Sequence, residues 1–401
     1  MKTAQFTRRA ICLAIAATCS IAYAQKKYDE GASDTEIVIG NIAPFSGPAS
    51  AYGATAKAAA AYFEKLNAEG GINGRKIRFI SLDDGYNPAK TIDQARKLVE
   101  QEKVLFLMGT VGTSPNNAIH KYMNQKKVPM LVVGSGASKW NDPKNFPWTT
   151  AWVPSYETEG KSYAKHILET RPNAKIAVLF QNDDLGRDYL RGLQAGLGAR
   201  AKEMIVAEAG VEQTDPTVDS QIVSLKASGA DTIMYFVPVK QAAQGIKKVG
   251  ELGWKPVQYT SSVSNNVETV LKPAGLENSK GIISQAYLKE PADPRWQGTP
   301  EYTEWLAWMK KYNPGASLDN NFGVYGYSQA QVVAQIIRQA GDNLTRENIM
   351  KQAASLNMKL PMLLPGIDVK TSPTNFSVIS QVQLMQFDGE KWVLSGKTYG
   401  Q

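Results

Sequence analysis

The chain has 401 residues, 45 Lys and Arg against 37 Asp and Glu, a net charge of +8 and two cysteines, Cys12 and Cys19. Acids and bases are interspersed along it without a block of like charge, which argues against a nucleic-acid-binding stripe; past the amino terminus no apolar run reaches the length of a membrane span. A chain this long exceeds one hydrophobic core and is expected to form two domains.

Residues 1–24 read as an export leader. Lys2, Arg8 and Arg9 give a cationic start, residues 10–21 are apolar but too short to span a bilayer, and Ala22-Tyr23-Ala24 is a small-x-small cleavage site. Arg8-Arg9 leaves the twin-arginine route open beside the general one, and Cys19 lacks the leucine usual before a lipid-attachment cysteine. Both cysteines fall inside the leader, so the exported chain is expected to carry no thiol and no disulfide, and its charge drops to +5.

Residues 25–34 are small and polar, a tether. From Glu36 short β-branched runs alternate with longer helical stretches, the pattern of a parallel sheet with crossover helices. Strands are expected over 36–42, 77–82, 104–108 and 128–133, with helices over 51–68, 88–101 and 114–125. Asn87 followed by Pro88 marks one helix start. The alternation begins again with strands over 175–180, 204–207, 232–237 and 257–260 and helices over 186–200, 216–228 and 239–252. Residues 145–155, with Pro147, Trp148, Trp152 and Pro154, read as a linker strand between two similar α/β lobes. A further extended run at 281–287, helices over 300–312 and 322–340, and a hairpin at Asp388-Gly389 complete the chain.

In an open parallel sheet a ligand sits beyond the carboxyl ends of the strands. The loops there are Pro44-Phe45-Ser46-Gly47-Pro48, Asp83-Asp84-Gly85-Tyr86, Gly109-Thr110-Val111-Gly112-Thr113-Ser114 and Gly134-Ser135-Gly136-Ala137. Small residues admit a ligand to the backbone, and hydroxyls with helix N-termini favour an anion, so a carboxylate is the expected guest. Asp83 and Asp84, just ahead of a helix, are read as capping and loop-bonding residues.

Catalytic parts are scarce, and an enzyme is not expected. His120 and His166 fall on helices and are expected at the surface. Ser135 lacks the spacing of a nucleophile elbow, Gly134-x-Gly136 is followed by Lys139 where a dinucleotide fingerprint needs a small residue, and no cluster has metal-ligand spacing, so neither a cofactor nor a metal is implied.

The chain resembles the periplasmic solute-binding proteins of ABC importers, within them the leucine/isoleucine/valine-binding protein family. The likeness rests on Ile39-Gly40 running into Pro44-Phe45-Ser46-Gly47-Pro48 and Tyr52-Gly53, on Asn67-Ala68-Glu69-Gly70-Gly71-Ile72-Asn73-Gly74-Arg75, on Asp83-Asp84 with Pro88, on Val128-Pro129, and on Asn182-Asp183-Asp184-Leu185-Gly186. It implies a monomeric, non-catalytic periplasmic protein of the type I periplasmic binding protein fold: two α/β lobes, each a parallel sheet flanked by helices, joined by a multi-strand hinge that closes on a small solute and docks on a membrane permease. Lobe 1 would comprise 35–150 and 282–360, and lobe 2 would comprise 151–281 and 361–401. A sensory ectodomain shares this fold and would need a membrane anchor after the lobes.

Carried over by position, the loop with Thr110, Thr113 and Ser114 and the loop with Ser135, Gly136 and Ala137 resemble the family's carboxylate-binding elements. Phe45 and Ser46 would floor the cleft and Tyr156 would line its hinge side. In lobe 2 the candidates are Asp184, Leu185, Phe236, Pro238, Ser261 and Ser262. Leu185 stands where many relatives have tyrosine, and the loops at 237–239 and 260–262 hold no acid to pair an ammonium. A buried unpaired ammonium is costly. The resemblance with this departure favours a small organic acid, aromatic in view of Phe45, Trp152, Tyr156 and Phe236, with a branched-chain or other amino acid as the alternative.

Overall fold

The computed structural model describes residues 26–400; the leader and its cleavage site lie outside the described residues. The first sheet is built from β1 (Glu36–Ala43), then α1 (Gly53–Ala68), β2 (Lys76–Asp83), α2 (Pro88–Arg96), β3 (Phe106–Met108), α3 (Thr113–Lys126), β4 (Met130–Val133) and β5 (Thr149–Ala151). The chain then enters α4 (Tyr156–Thr170) and lays down β6 (Ile176–Gln181), α5 (Asp184–Leu197), β7 (Ile205–Val211), α6 (Asp219–Ala227), β8 (Thr232–Phe236), α7 (Val239–Glu251), β9 (Val257–Thr260) and β10 (Ile283–Ala286). It returns to the first half with α8 (Pro300–Tyr312), α9 (Phe322–Ala340) and α10 (Arg346–Ala353), and ends in the second with β11 (Gln381–Phe387) and β12 (Trp392–Gly400). No described helix is long and apolar enough to cross a membrane.

The strand orders are β2-β1-β3-β4-β5 and β12-β11-β10-β9-β8-β6-β7. All pairs are parallel except those made by β11 and β12, which run antiparallel at one edge. β1 is buried along nearly its whole length, as a central parallel strand covered by helices on both faces must be. Strand order reverses between β1 and β3 and again between β6 and β8, so each lobe opens a crevice at that switch point.

Local signals place the helix starts. The Asn87 side chain accepts from the amides of Ala89 and Lys90 ahead of Pro88, and Asp183 accepts from Leu185 at the head of α5. The helix expected over 88–101 is α-helical only to Arg96 and finishes in a π-turn over Lys97–Gln101. Asp83 and Asp84 bond the 44–46 and 85–91 segments, as their position suggested.

Two lobe boundaries fall later than the sequence suggested. The run 281–287 pairs with β9 at Tyr259–Ile283 and with β11, so it belongs to the second sheet rather than to lobe 1. Asn357–Met358 pairs with Val369–Lys370, which carries the return crossing to about 376–380. There Ala151 donates to Phe376 O at 3.1 Å and accepts from Val378 at 3.0 Å, so the first and third crossings are tied backbone to backbone. The histidines also differ from expectation. His120 is buried, stacked on Phe146 at 4.0 Å and edge-on to Trp140, and burial lowers its pKa to about 4. His166 is half-buried and bonds the Tyr259 hydroxyl at 2.9 Å.

In lobe 1, α9 lies directly on α1 at Gly326, where an added Cβ would stand 1.9 Å from the Thr55 carbonyl oxygen. Gly326→Ala must push two buried helices apart and is expected to cost about 1–3 kcal/mol. A chemical denaturation curve shifted by that amount, with unchanged steepness, checks it.

Candidate functional site

The two switch-point crevices face each other across a narrow cavity of about 60 Å³. Lobe 1 contributes Tyr52, Thr55, Tyr86, Val111, Gly112 and Gly134; lobe 2 contributes Tyr156, Leu185, Ser262, Val263, Asn265 and Gln285; and the second crossing and the residues after it add Tyr287, Leu288, Glu290, Asn321, Phe322 and Tyr325. Six of these residues carry aromatic rings. None of the described lining residues is a lysine or arginine.

The lobes touch along both rims of this cavity. The Tyr52 hydroxyl donates to Val263 O at 2.9 Å and accepts from the Val239 amide at 3.3 Å, while its ring packs 5.2 Å from Phe322. Ser114 Oγ donates to Asp183 Oδ2 at 2.6 Å, the Ser138 amide donates to Asp188 Oδ2 at 2.7 Å, and Lys139 Nζ pairs with Asp184 at 2.6 Å. Gln213 donates its side-chain amide to Tyr86 O.

Among the residues expected to bind ligand, Tyr156, Leu185 and Ser262 line the cavity. The others have different neighbours. Thr113 Oγ1 and Ser135 Oγ bond each other at 2.7 Å, and Ser135 Oγ also accepts from Trp140 Nε1 at 2.8 Å, so this hydroxyl pair is buried within lobe 1. Thr110 is buried; its backbone carbonyl takes the Asn116 side-chain amide at 2.7 Å, while its hydroxyl has no hydrogen-bond partner among the described residues. Ser46 Oγ is held by Asp83 Oδ2 at 2.6 Å, and Phe45 donates its amide to Asp83 Oδ1 and packs against Gly53. Ser114 and Asp184 are spent on interlobe contacts. Phe236 stacks inside lobe 2, Pro238 caps α7, and Ser261 Oγ bonds Ser264 Oγ at 2.6 Å.

Gly136 and Ala137 face away from this cavity, and the reason is steric. A Cβ at Gly136 would stand 2.4 Å from Pro154 O and 2.7 Å from the Tyr156 ring, so that glycine makes room for the crossing strand. Gly112 does the same for Tyr86, whose ring a Cβ would meet at 2.3 Å. Tyr86 thus covers the N-terminus of α3, the end of the helix dipole that favours negative charge.

Two carboxyl groups at this site had not been anticipated. Glu159 sits on α4 one turn beyond Tyr156, fully buried; it accepts from Ser262 Oγ at 2.7 Å and from the Ser262 amide at 3.3 Å. Beside it runs a stack of rings, Tyr156 on Tyr189 at 4.5 Å and Tyr189 on Phe236 at 4.7 Å. Burial in that apolar wall pushes the Glu159 carboxyl up to about 7, against the lowering effect of the Ser262 bonds. Glu290 lines the cavity itself and accepts from Asn321 Nδ2 at 2.9 Å; burial pushes it too up to about 7. The spacing of Tyr156 and Glu159 on one helical face is visible in the sequence, but it lies on a helix and not in the strand-end loops.

The sequence matches the family described as periplasmic binding protein over residues 36–391. The chain belongs to that family. Its relatives include Leu/Ile/Val-binding protein homolog 1 of Brucella suis, 24% identical over 79% of this chain and 82% of the relative. Among solved structures, a branched chain amino acid ABC transporter protein from Thermus thermophilus with bound valine superposes with a TM-score of 0.78 at 17% identity, covering 92% of this chain and 97% of that one. A solute-binding protein from R. palustris in complex with 4-hydroxybenzoate gives 0.75 at 19% identity, covering 92% and 96%. The fold is therefore that of the type I periplasmic binding proteins, a family of solute-binding proteins that work with ABC-transporter permeases and whose membership implies a periplasmic location.

Two predictions follow from this geometry. Tyr52→Phe keeps the ring but deletes two interlobe hydrogen bonds worth about 1 kcal/mol each, so solute affinity should fall roughly tenfold or more and small-angle scattering should show a larger mean radius. The buried acids make stability depend on pH. A carboxyl protonated to about 7 when folded but ionised above its ordinary value of 4.5 when unfolded binds its proton more tightly in the native state, so stability falls as pH rises from about 4.5 to 7. Thermal unfolding of Glu159→Gln across that window should show a shallower decline than the parent.

Proposed function

We propose that this protein captures a small amino acid with an apolar or aromatic side chain for an ABC importer, without chemical change, by closing its two lobes. The carrying observation is a pair of carboxyls, the partly exposed Glu290 on the cavity wall and the buried Glu159 behind Ser262, in a cavity whose described walls hold no cationic side chain. The ranking drawn from the sequence put an organic acid first because no acid stood in the second-lobe loops. Glu159 and Glu290 answer that objection from a helix and from the second crossing. An ammonium would pair with Glu290 once it ionises, the carboxylate would lie toward Tyr86 and the N-terminus of α3, and the side chain would rest on Tyr156, Tyr325 and Leu185. The bound valine of the Thermus thermophilus relative supports this reading.

A second reading is favoured by the six rings: an aromatic acid, as in the R. palustris relative, whose carboxylate accepts from a protonated Glu290. The two readings have opposite pH signatures. An ammonium needs ionised Glu290, so amino-acid affinity should rise from pH 6 to pH 8; an anion needs the protonated form, so its affinity should fall. Calorimetric titration of valine, phenylalanine and 4-hydroxybenzoate at the two pH values separates them. Glu290→Gln should weaken amino-acid binding on the order of 30-fold or more, because removing one member of a buried charge pair costs at least about 2 kcal/mol. An amino acid bound equally well by that variant would move the ammonium elsewhere.

A further inference from the structure

A second cavity, of about 540 Å³, lies behind the crossing strands and shares no lining residue with the first. The pleat of the first crossing separates the two. Ala151, Val153 and Ser155 line the rear cavity, whereas Trp152 packs toward Tyr287 and Tyr325 and Tyr156 reaches the front one. Ser377 and Ile379 of the third crossing line the rear cavity as well.

Its chemistry is one-sided. Lys161 and Lys165, four residues apart on α4, stand at its wall with Ser138, Thr158 and Thr398; Asn141 Nδ2 donates to Asn375 Oδ1 at 3.0 Å there, Ser162 Oγ turns inward to Glu159 O at 2.8 Å, and no described lining residue is acidic. Lys165 Nζ sits 5.8 Å from the Tyr399 ring. The nearby acid Glu169 is held by Lys397 at 2.7 Å.

We propose that this rear cavity is a second binding site, for a small oxyanion of the phosphate or dicarboxylate type. Lys161 and Lys165 neutralise the guest from lobe 2, while the Ser138 hydroxyl and the Asn141 Nδ2 proton not given to Asn375 meet it from lobe 1. Because its walls belong to both lobes, occupancy is linked to their relative position: an anion bridging them with the front rims in contact stabilises the closed arrangement, and by reciprocity a solute in front tightens the anion behind. Nothing in the front cavity is needed for it, since neither lysine lines that space.

The test compares the parent with Lys161→Gln/Lys165→Gln, both side chains being exposed and their loss tolerable to the fold. Melting temperatures are measured in inorganic phosphate, in malonate and in chloride at matched ionic strength. Excluded salts stabilise both chains alike, so only the difference between chains counts. Millimolar phosphate or malonate should raise the parent's melting temperature by on the order of 2 °C more than the variant's, and whichever anion does so identifies the guest's class. A Lys161→Arg/Lys165→Arg chain should keep the shift. Equal shifts in parent and glutamine variant would overturn the site. A parent whose scattering radius stays unchanged when the effective anion is added would overturn the bridging of the lobes.

Discussion

The molecule turns on the exchange of backbone hydrogen bonds between Ala151 and residues 376 and 378. It ties two of the three interlobe passages into extended backbone with a fixed pleat, and that pleat decides which side chains face which side. Trp152 and Tyr156 turn toward the solute cleft; Ala151, Val153 and Ser155 turn toward the rear cavity. A one-residue slip would exchange the two sets, because the side-chain period of extended backbone is two. Gly136 belongs to the same constraint, since its missing Cβ is what lets Pro154 and Tyr156 pass against the loop after β4.

The electrostatics of the cleft follow from how those passages are covered. The ring column of Tyr156, Tyr189 and Phe236 removes water from one side of Glu159, while Glu290 stands partly exposed on the cavity wall and is held by Asn321. Desolvation raises both carboxyls toward about 7, and Glu159 is the fully buried one of the two. Charges on the rims behave differently. Lys139 with Asp184, and Ser114 with Asp183, are partly solvated pairs that register one lobe against the other and add little energy individually. The rims thus carry modest polar contacts, whereas the desolvated carboxyls lie on the cavity wall (Glu290) and behind Ser262 (Glu159).

The parallel sheets, the helices between them and the hairpin at the end were legible because each rests on local chemistry: β-branched runs, the Asn87-Pro88 start, the Asp388-Gly389 turn. The family likeness was legible for the same reason, in short segments such as Gly70-Gly71-Ile72-Asn73-Gly74. The site was legible only in part. Thr113 and Ser135 had the composition of an anion loop, but their hydroxyls bond each other at 2.7 Å, and Ser135 Oγ also takes the Trp140 Nε1 and Ala137 amide protons. At Gly112 and Gly136 the missing Cβ also makes room for a tyrosine, Tyr86 and Tyr156 respectively, although Gly112 still lines the cavity. Glu159 lies on a helix, outside the strand-end loops that border a switch point, so nothing local in the sequence marks it.

What the sequence determined by itself was the kind of fold and the family, since periodicity, caps and turns are interactions among neighbours along the chain. The tertiary structure alone decided which polar groups remain for a solute. Whether a serine, glycine or glutamate faces a cavity depends on residues more than a hundred positions away, as Ser262 does for Glu159 and Val263 for Tyr52. Hydrogen-bond satisfaction and desolvation are properties of that assembled neighbourhood, and no segment carries them alone.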